Sequence, residues 1–229
     1  MNPDPVLASN PMFVLAAWAA GIGLAGAGVT VRAVVGPGFT WLASATAVLI
    51  GVWGALGGEP LAVAAVAATA VGGGLVSWNR TVSGLALAAG AALFALQAMS
   101  FGGPILAVTA VLALGGITSE MLLGHWYLVD PTLSRLVLRL LALAGAIGVV
   151  VDSVMVSVIL DGPSTGMGQA IFWVLAATTV GLMLAVLGAL RYPAYSGVMA
   201  ATGLSYLAVL TGLAVVFMGR VMAAGGGPY

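Results

Sequence analysis

The chain has 229 residues, 62% of them hydrophobic and 5% charged, with a mean hydropathy of +1.20 and a formal net charge of zero. A soluble domain carries roughly a quarter charged residues, so a water-covered surface is excluded, and zero net charge leaves no basic footprint for nucleic acid. Neither cysteine nor lysine occurs, which removes disulfides, thiolate sites and the lysine amine that Schiff-base chemistry requires.

Lipid must therefore be the surrounding medium, and in lipid every backbone polar group is paired internally, in helices or a closed barrel. The apolar runs are long and lack period-two alternation, which selects helices. The N-terminus, "MNPDPVLASNP", has no positive n-region, so no cleavable signal peptide is expected. About eight spans follow in chain order. The first runs from Met12 to Val35 and ends at "GPG"; the second, Phe39 to Leu56, ends at "GGEP". Leu61 to Trp78 precedes the polar turn "NRT", and Ser83 to Ser100 precedes "FGGP". The fifth, Ile105 to Val129, is broken by Asp130-Pro131, which also supply an N-cap and first-turn proline for the sixth, Thr132 to Leu160. Gln169 to Leu190 and Tyr195 to Met218 complete the set, before a Gly-rich tail.

With this count, Arg32, Arg80, Arg135, Arg139 and Arg191 fall on one side, Asp4, Glu59 and Asp161 on the other, and Arg220 is the single exception. The positive-inside rule then places both termini on the non-cytoplasmic side. The expectation is an all-α integral membrane protein, a single polytopic helical domain over 1–229 in the plasma membrane, specifically a bacterial cytoplasmic membrane. No convincing internal repeat joins its halves. Trp41, Trp78, Trp126, Tyr127, Tyr192 and Tyr195 lie near span ends, at headgroup level. "GIGLAGAG" (Gly21–Gly28), "GGG" (Gly72–Gly74) and "AAGAA" (Ala88–Ala92) favour close helix packing. The G-x-G-x-x-G match at Gly21–Gly26 lacks the preceding strand and following acid of a dinucleotide fingerprint and reads as packing.

Ionisable groups inside spans carry the functional argument. Glu120 lies ~12 Å from the inner end of span five and Arg139 at a comparable depth in span six, so an ion pair between these antiparallel neighbours is expected. Asp152 has no arginine at its level in the neighbouring spans. Ser153, Ser157, Thr178 and Thr179 are its expected partners, either to a protonated hydrogen-bonder or to a proton-relay or substrate-binding acid. Glu120 and Asp152 stand ~16 Å apart along the bundle axis. His125, the only histidine, is five residues beyond Glu120 and about 140° away around the helix, whereas Tyr127 shares the Glu120 face. A single histidine excludes a bis-histidine haem within one chain, and neither a metal cage nor a Ser-His-Asp arrangement has support.

The first functional expectation is a membrane subunit of a respiratory redox complex, serving electron transport. In it His125 and Tyr127 hydrogen-bond a quinone near the cytoplasmic interface, Trp126 packs on its ring, and Glu120 passes protons. Eight-helix topologies with both ends outside also occur in quinol-oxidising membrane anchors, an analogy of topology only. The alternative is a small proton-coupled transporter or permease using Glu120 and Asp152. A third is a scaffold or assembly factor. Expected partners are membrane lipid and other membrane subunits or further copies of the chain. Quinone is the one cofactor considered.

Overall fold

The computed structural model describes residues 4–127, 134–160 and 166–225. All its regular elements are helices: α1 (Pro5–Ala8), α2 (Pro11–Val31), α3 (Pro37–Leu56), α4 (Pro60–Leu75), α5 (Arg80–Tyr127), α6 (Leu136–Ile159), α7 (Gly166–Ala189) and α8 (Tyr195–Gly225). Proline at the first helical position opens each of α1 to α4; its fixed φ suits that place, and its missing N–H would be unpaired there anyway. The caps are local: Asp4 Oδ1 accepts from Val6 N at 2.8 Å, and Asn10 Oδ1 from Met12 N at 2.9 Å.

Six helices among the described residues are long and apolar enough to cross a membrane: α2, α3, α5, α6, α7 and α8. The chain is consistent with a helical membrane bundle. α4, with 16 residues, is a shorter apolar helix. α5 has 48 residues and, if straight, would extend about 72 Å, more than twice a bilayer core. It is not straight. Gly103 takes φ 75°, ψ 169°, a conformation open to glycine and costly for other residues, and Pro104 follows it. The result is two arms, residues 80–102 and 104–127.

Packing against α2 shows that these arms run in opposite directions. Along the first arm, Gly84 faces Ala27 and Val31, Ala91 faces Gly23, and Gly102 faces Phe13, so the numbering falls on α2 as it rises on α5. Along the second arm, Gly115 lies against Gly21, while Leu106 shares the Arg220 side chain with Phe13, so the two numberings rise together. The separate fourth and fifth runs of the sequence correspond to these arms, joined directly by the "FGGP" turn.

The second arm is the axis of the bundle. From Ala113 to Glu120 every residue is buried. α2, α6 and α8 surround it, α7 packs on α6 and α8, and α3 and α4 lie beside α2 and the first arm. Small residues set the spacing. A Cβ added to Gly115 would lie 2.4 Å from Gly21 Cα, and one added to Gly116 would lie 2.4 Å from the Gly145 backbone nitrogen. Gly148 meets Ala113 at the same separation, and Gly90 and Gly72 do comparable service against Thr69 and Leu87.

Some element ends depart from the sequence expectation: α2 stops at Val31 rather than Val35, and α4 at Leu75 rather than Trp78. α1 is a short helix that precedes the first expected span. α8 continues to Gly225, past the expected end at Met218, so Arg220 belongs to the helix. α6 is described from Leu136; the expected start signal at Asp130-Pro131, like Asp161, lies outside the described residues.

Gly115→Val should destabilise the bundle by about 1–3 kcal/mol, since the clash is with backbone rather than a movable side chain. Gly188→Ala, where an added Cβ meets nothing within 4 Å, should change stability by less than about 0.5 kcal/mol. Equilibrium unfolding in detergent micelles compares the two.

Candidate functional site

The arginines sort by end, as the sequence pattern implies. Arg80 Nη1 donates to Val35 O at 3.3 Å, tying the first arm to the α2–α3 turn. Arg135 donates to the carbonyls of Tyr192, Pro193 and Ala194 in the α7–α8 turn. Arg139 Nη2 donates to Leu190 O at 2.8 Å. Cations at helix C-terminal carbonyls are favoured by the orphan acceptors there.

Arg139 is therefore not the partner of Glu120, and the expected ion pair does not form. Arg139 is exposed and directed toward α7, while Glu120 is fully buried against α8. Closeness in sequence placed the two residues on adjoining helices but on different faces of them.

Arg220 and Asp152 make the one ion pair among the described residues. Nη2 donates to Asp152 Oδ1 at 2.7 Å and Nη1 to Oδ2 at 2.9 Å, a two-pronged contact. Thr109 Oγ1 adds a third bond to Oδ1 at 2.6 Å. The guanidinium also donates to Val216 O and Leu106 O, and its Cζ lies 4.6 Å from the Phe13 ring centroid, within cation–π range. Arg220 is 0% exposed and Asp152 1%. The absence of an arginine near Asp152 was thus a wrong expectation. The extra turns of α8 carry the one arginine that breaks the charge pattern to the acid that lacked a partner. None of the four hydroxyls expected around Asp152 bonds it: Ser157, Thr178 and Thr179 donate to carbonyls in the preceding turn of their own helices, and Ser153 Oγ is buried without a partner.

Glu120 sits on the same central arm as Thr109, eleven residues away and about 16 Å along the axis. It is 0% exposed. Ser205 Oγ hydrogen-bonds Glu120 Oε2 and lies 2.9 Å from Ala201 O. Glu120 Oε1 and the neighbouring Ser119 Oγ have no partner. Trp18 Nε1 donates to Thr118 Oγ1 at 2.7 Å, closing the side toward α2. Thr202 Oγ1 also lies close, against Gly124. A buried carboxyl with one oxygen unbonded and no cation in reach is costly.

The remaining residues of the aromatic cluster do not converge with Glu120. His125 is exposed. The Trp126 ring covers Gly38 at the start of α3. Tyr127 is buried, and its hydroxyl donates to Ser134 O. Three cavities between the helices take no lining from His125, Trp126, Tyr127 or Glu120, and among the described residues no cluster of three or more His, Asp or Glu stands ready for a metal ion. Comparison of the chain with protein-family models, with curated proteins and with solved structures finds no match.

The two acids should respond differently to neutralisation. Asp152→Asn leaves a fully buried guanidinium without its counter-ion and is expected to cost about 3–5 kcal/mol. Replacing both partners with apolar residues, Asp152→Leu with Arg220→Met, is expected to recover most of that loss, because the desolvation of both charges is removed together. Unfolding midpoints of the single and double variants, measured in one detergent, give the comparison.

Proposed function

We propose that the chain is a proton-handling integral membrane protein, a small proton-coupled transporter or permease, in which Glu120 takes up and releases the proton. In this reading it crosses a bacterial cytoplasmic membrane eight times as a single domain, the arms of α5 and the short α4 each counting as one crossing. The five arginines of one end face the cytoplasm, and both termini lie outside. The observation that carries the reading is Glu120 Oε1: buried at the centre of the bundle, unpartnered, and without a cation in reach.

Proton counting at Ser205 supports it. The hydroxyl has one hydrogen, yet its oxygen is in hydrogen-bonding contact with both Glu120 Oε2 and Ala201 O. Both contacts are satisfied when the carboxyl brings its own proton: Glu120 donates to Ser205 Oγ, and Ser205 donates to Ala201 O. Loss of that proton leaves a bare carboxylate in a dry interior, so its release must accompany a rearrangement that admits water or a cation. Asp152 takes no part in this exchange. Its oxygens are saturated by Arg220 and Thr109, and it serves as a structural counter-ion.

A second reading, a quinone-contacting subunit of a respiratory complex, is favoured by one observation. The His125 ring is exposed at the arginine end, on the arm that carries Glu120. A quinone would then lie against His125 and Trp126 at the outer surface of the bundle, with Glu120 receiving its protons. Quinone extractable from the purified protein, and lost in His125→Phe, separates this reading from the first.

Dicyclohexylcarbodiimide, which modifies protonated carboxyls in apolar surroundings, tests the proton site directly. Peptide mass spectrometry is expected to find the adduct at Glu120, fading as pH rises, with Asp152 unmodified. In liposomes holding a pH-sensitive dye, Glu120→Gln should lower proton flux at least about a hundredfold, the low side of what a positioned acid or base contributes, while the bundle remains folded. An adduct at Asp152 with Glu120 untouched, or unchanged flux in Glu120→Gln, would overturn the proposal.

A further inference from the structure

An open trough of about 550 Å3 runs along the lipid-facing side of the bundle between α2, the second arm of α5 and α6. Its walls are apolar throughout, and Arg32 at one end is the only charged residue that lines it. The floor is low because glycines form it, Gly21 and Gly115 at the deep end and Gly28 near the mouth. From Gly21 to Arg32 the trough extends about 16 Å, close to the ~15 Å of hydrocarbon in one leaflet. Arg32 therefore stands at headgroup level when the trough spans its leaflet.

Arg32 is also uncommitted. Arg80, Arg135 and Arg139, at the same end, spend their guanidinium groups on carbonyls, and Arg220 is paired with Asp152. The Arg32 guanidinium is exposed, with no hydrogen bond or ion pair among the described residues. Arg191 is likewise exposed but does not line the trough.

We infer that this trough binds one acyl chain of an anionic phospholipid from the leaflet at the arginine end, with the lipid phosphate held by Arg32. Length selects a chain confined to one leaflet. The absence of hydroxyls and acids from the walls selects hydrocarbon along the trough. The single unpaired cation at the mouth selects a negative headgroup, since a guanidinium matches phosphate geometry in two-pronged fashion. The inference does not depend on Glu120 or on the proton it carries.

Two substitutions separate the charge from the trough. Arg32→Gln removes the headgroup contact. Gly28→Leu fills the trough, because a Cβ added there meets only Arg32 Nη1, at 3.7 Å, and the bundle need not shift. Full-length protein in detergent is titrated with phosphatidylglycerol or phosphatidylcholine and read by native mass spectrometry. The unmodified chain is expected to retain phosphatidylglycerol roughly fivefold better, the contribution of one arginine at a membrane surface. Arg32→Gln should abolish that preference, Arg191→Gln should keep it, and Gly28→Leu should reduce retention of both lipids. No preference in the unmodified chain, equal loss in Arg191→Gln and Arg32→Gln, or undiminished retention in Gly28→Leu would overturn the inference.

Discussion

Backbone-to-backbone contact along the second arm of α5 is the constraint on which the rest of the structure depends. Lipid tails are as apolar as leucine, so helices in a bilayer gain little by hiding leucines from it and associate through close packing and shared polar bonds. Gly21 against Gly115, Gly116 against Gly145 and Gly148 against Ala113 bring α2 and α6 onto the central arm at distances that leave no room for a methyl group. That closeness limits which partners the polar groups of the arm can reach. Thr118 meets Trp18 of α2, Thr109 meets Asp152 of α6, and Glu120 meets Ser205 of α8.

Within this frame two acids of similar burial have opposite settings. Asp152 has a two-pronged arginine and a threonine, so removing either ionic partner leaves the other as an uncompensated charge. Its geometry is that of a clasp joining α6, α8 and the Leu106–Thr109 end of the second arm. Glu120 has one hydroxyl shared with a carbonyl and an oxygen with nothing attached. A bundle built only to be stable gains nothing from such a group. The contrast, rather than the presence of acids in a membrane, is what the proposed proton site at Glu120 rests on.

Much of the architecture was legible because its signals are local. Prolines at helix starts, the "FGGP" reversal and the apolar run lengths mark the elements within a few residues. Arg80, Arg135 and Arg139 bond turns at one end, in keeping with the charge pattern. The Asp152 partner was hidden for a reason that is also local: α8 lacks a stop signal at Met218 and continues to Gly225, carrying Arg220 inward. The anomaly of Arg220 in the charge pattern was the available clue, since an arginine on the wrong side needs an acid. The supposed pairing of Glu120 with Arg139 failed because depth alone was matched. Helix rotation, fixed by Gly116 against Gly145, turns Arg139 toward Leu190 instead. Sequence spacing separated His125 from Glu120 on the helix, and the structure keeps them apart.

The reversal at Gly103 underlies the proposed crossing count and the position of the central arm. The chain contains no cysteine, so single cysteines can report it without a background. Asn79→Cys, Ser100→Cys and Ser134→Cys, each at an exposed position, are probed in intact membranes with an impermeant maleimide added from one side and then the other. The account predicts that Asn79→Cys and Ser134→Cys react from the same side and Ser100→Cys from the opposite one. Reaction of Asn79→Cys and Ser134→Cys from opposite sides would mean that residues 80–127 cross once, and would contradict it.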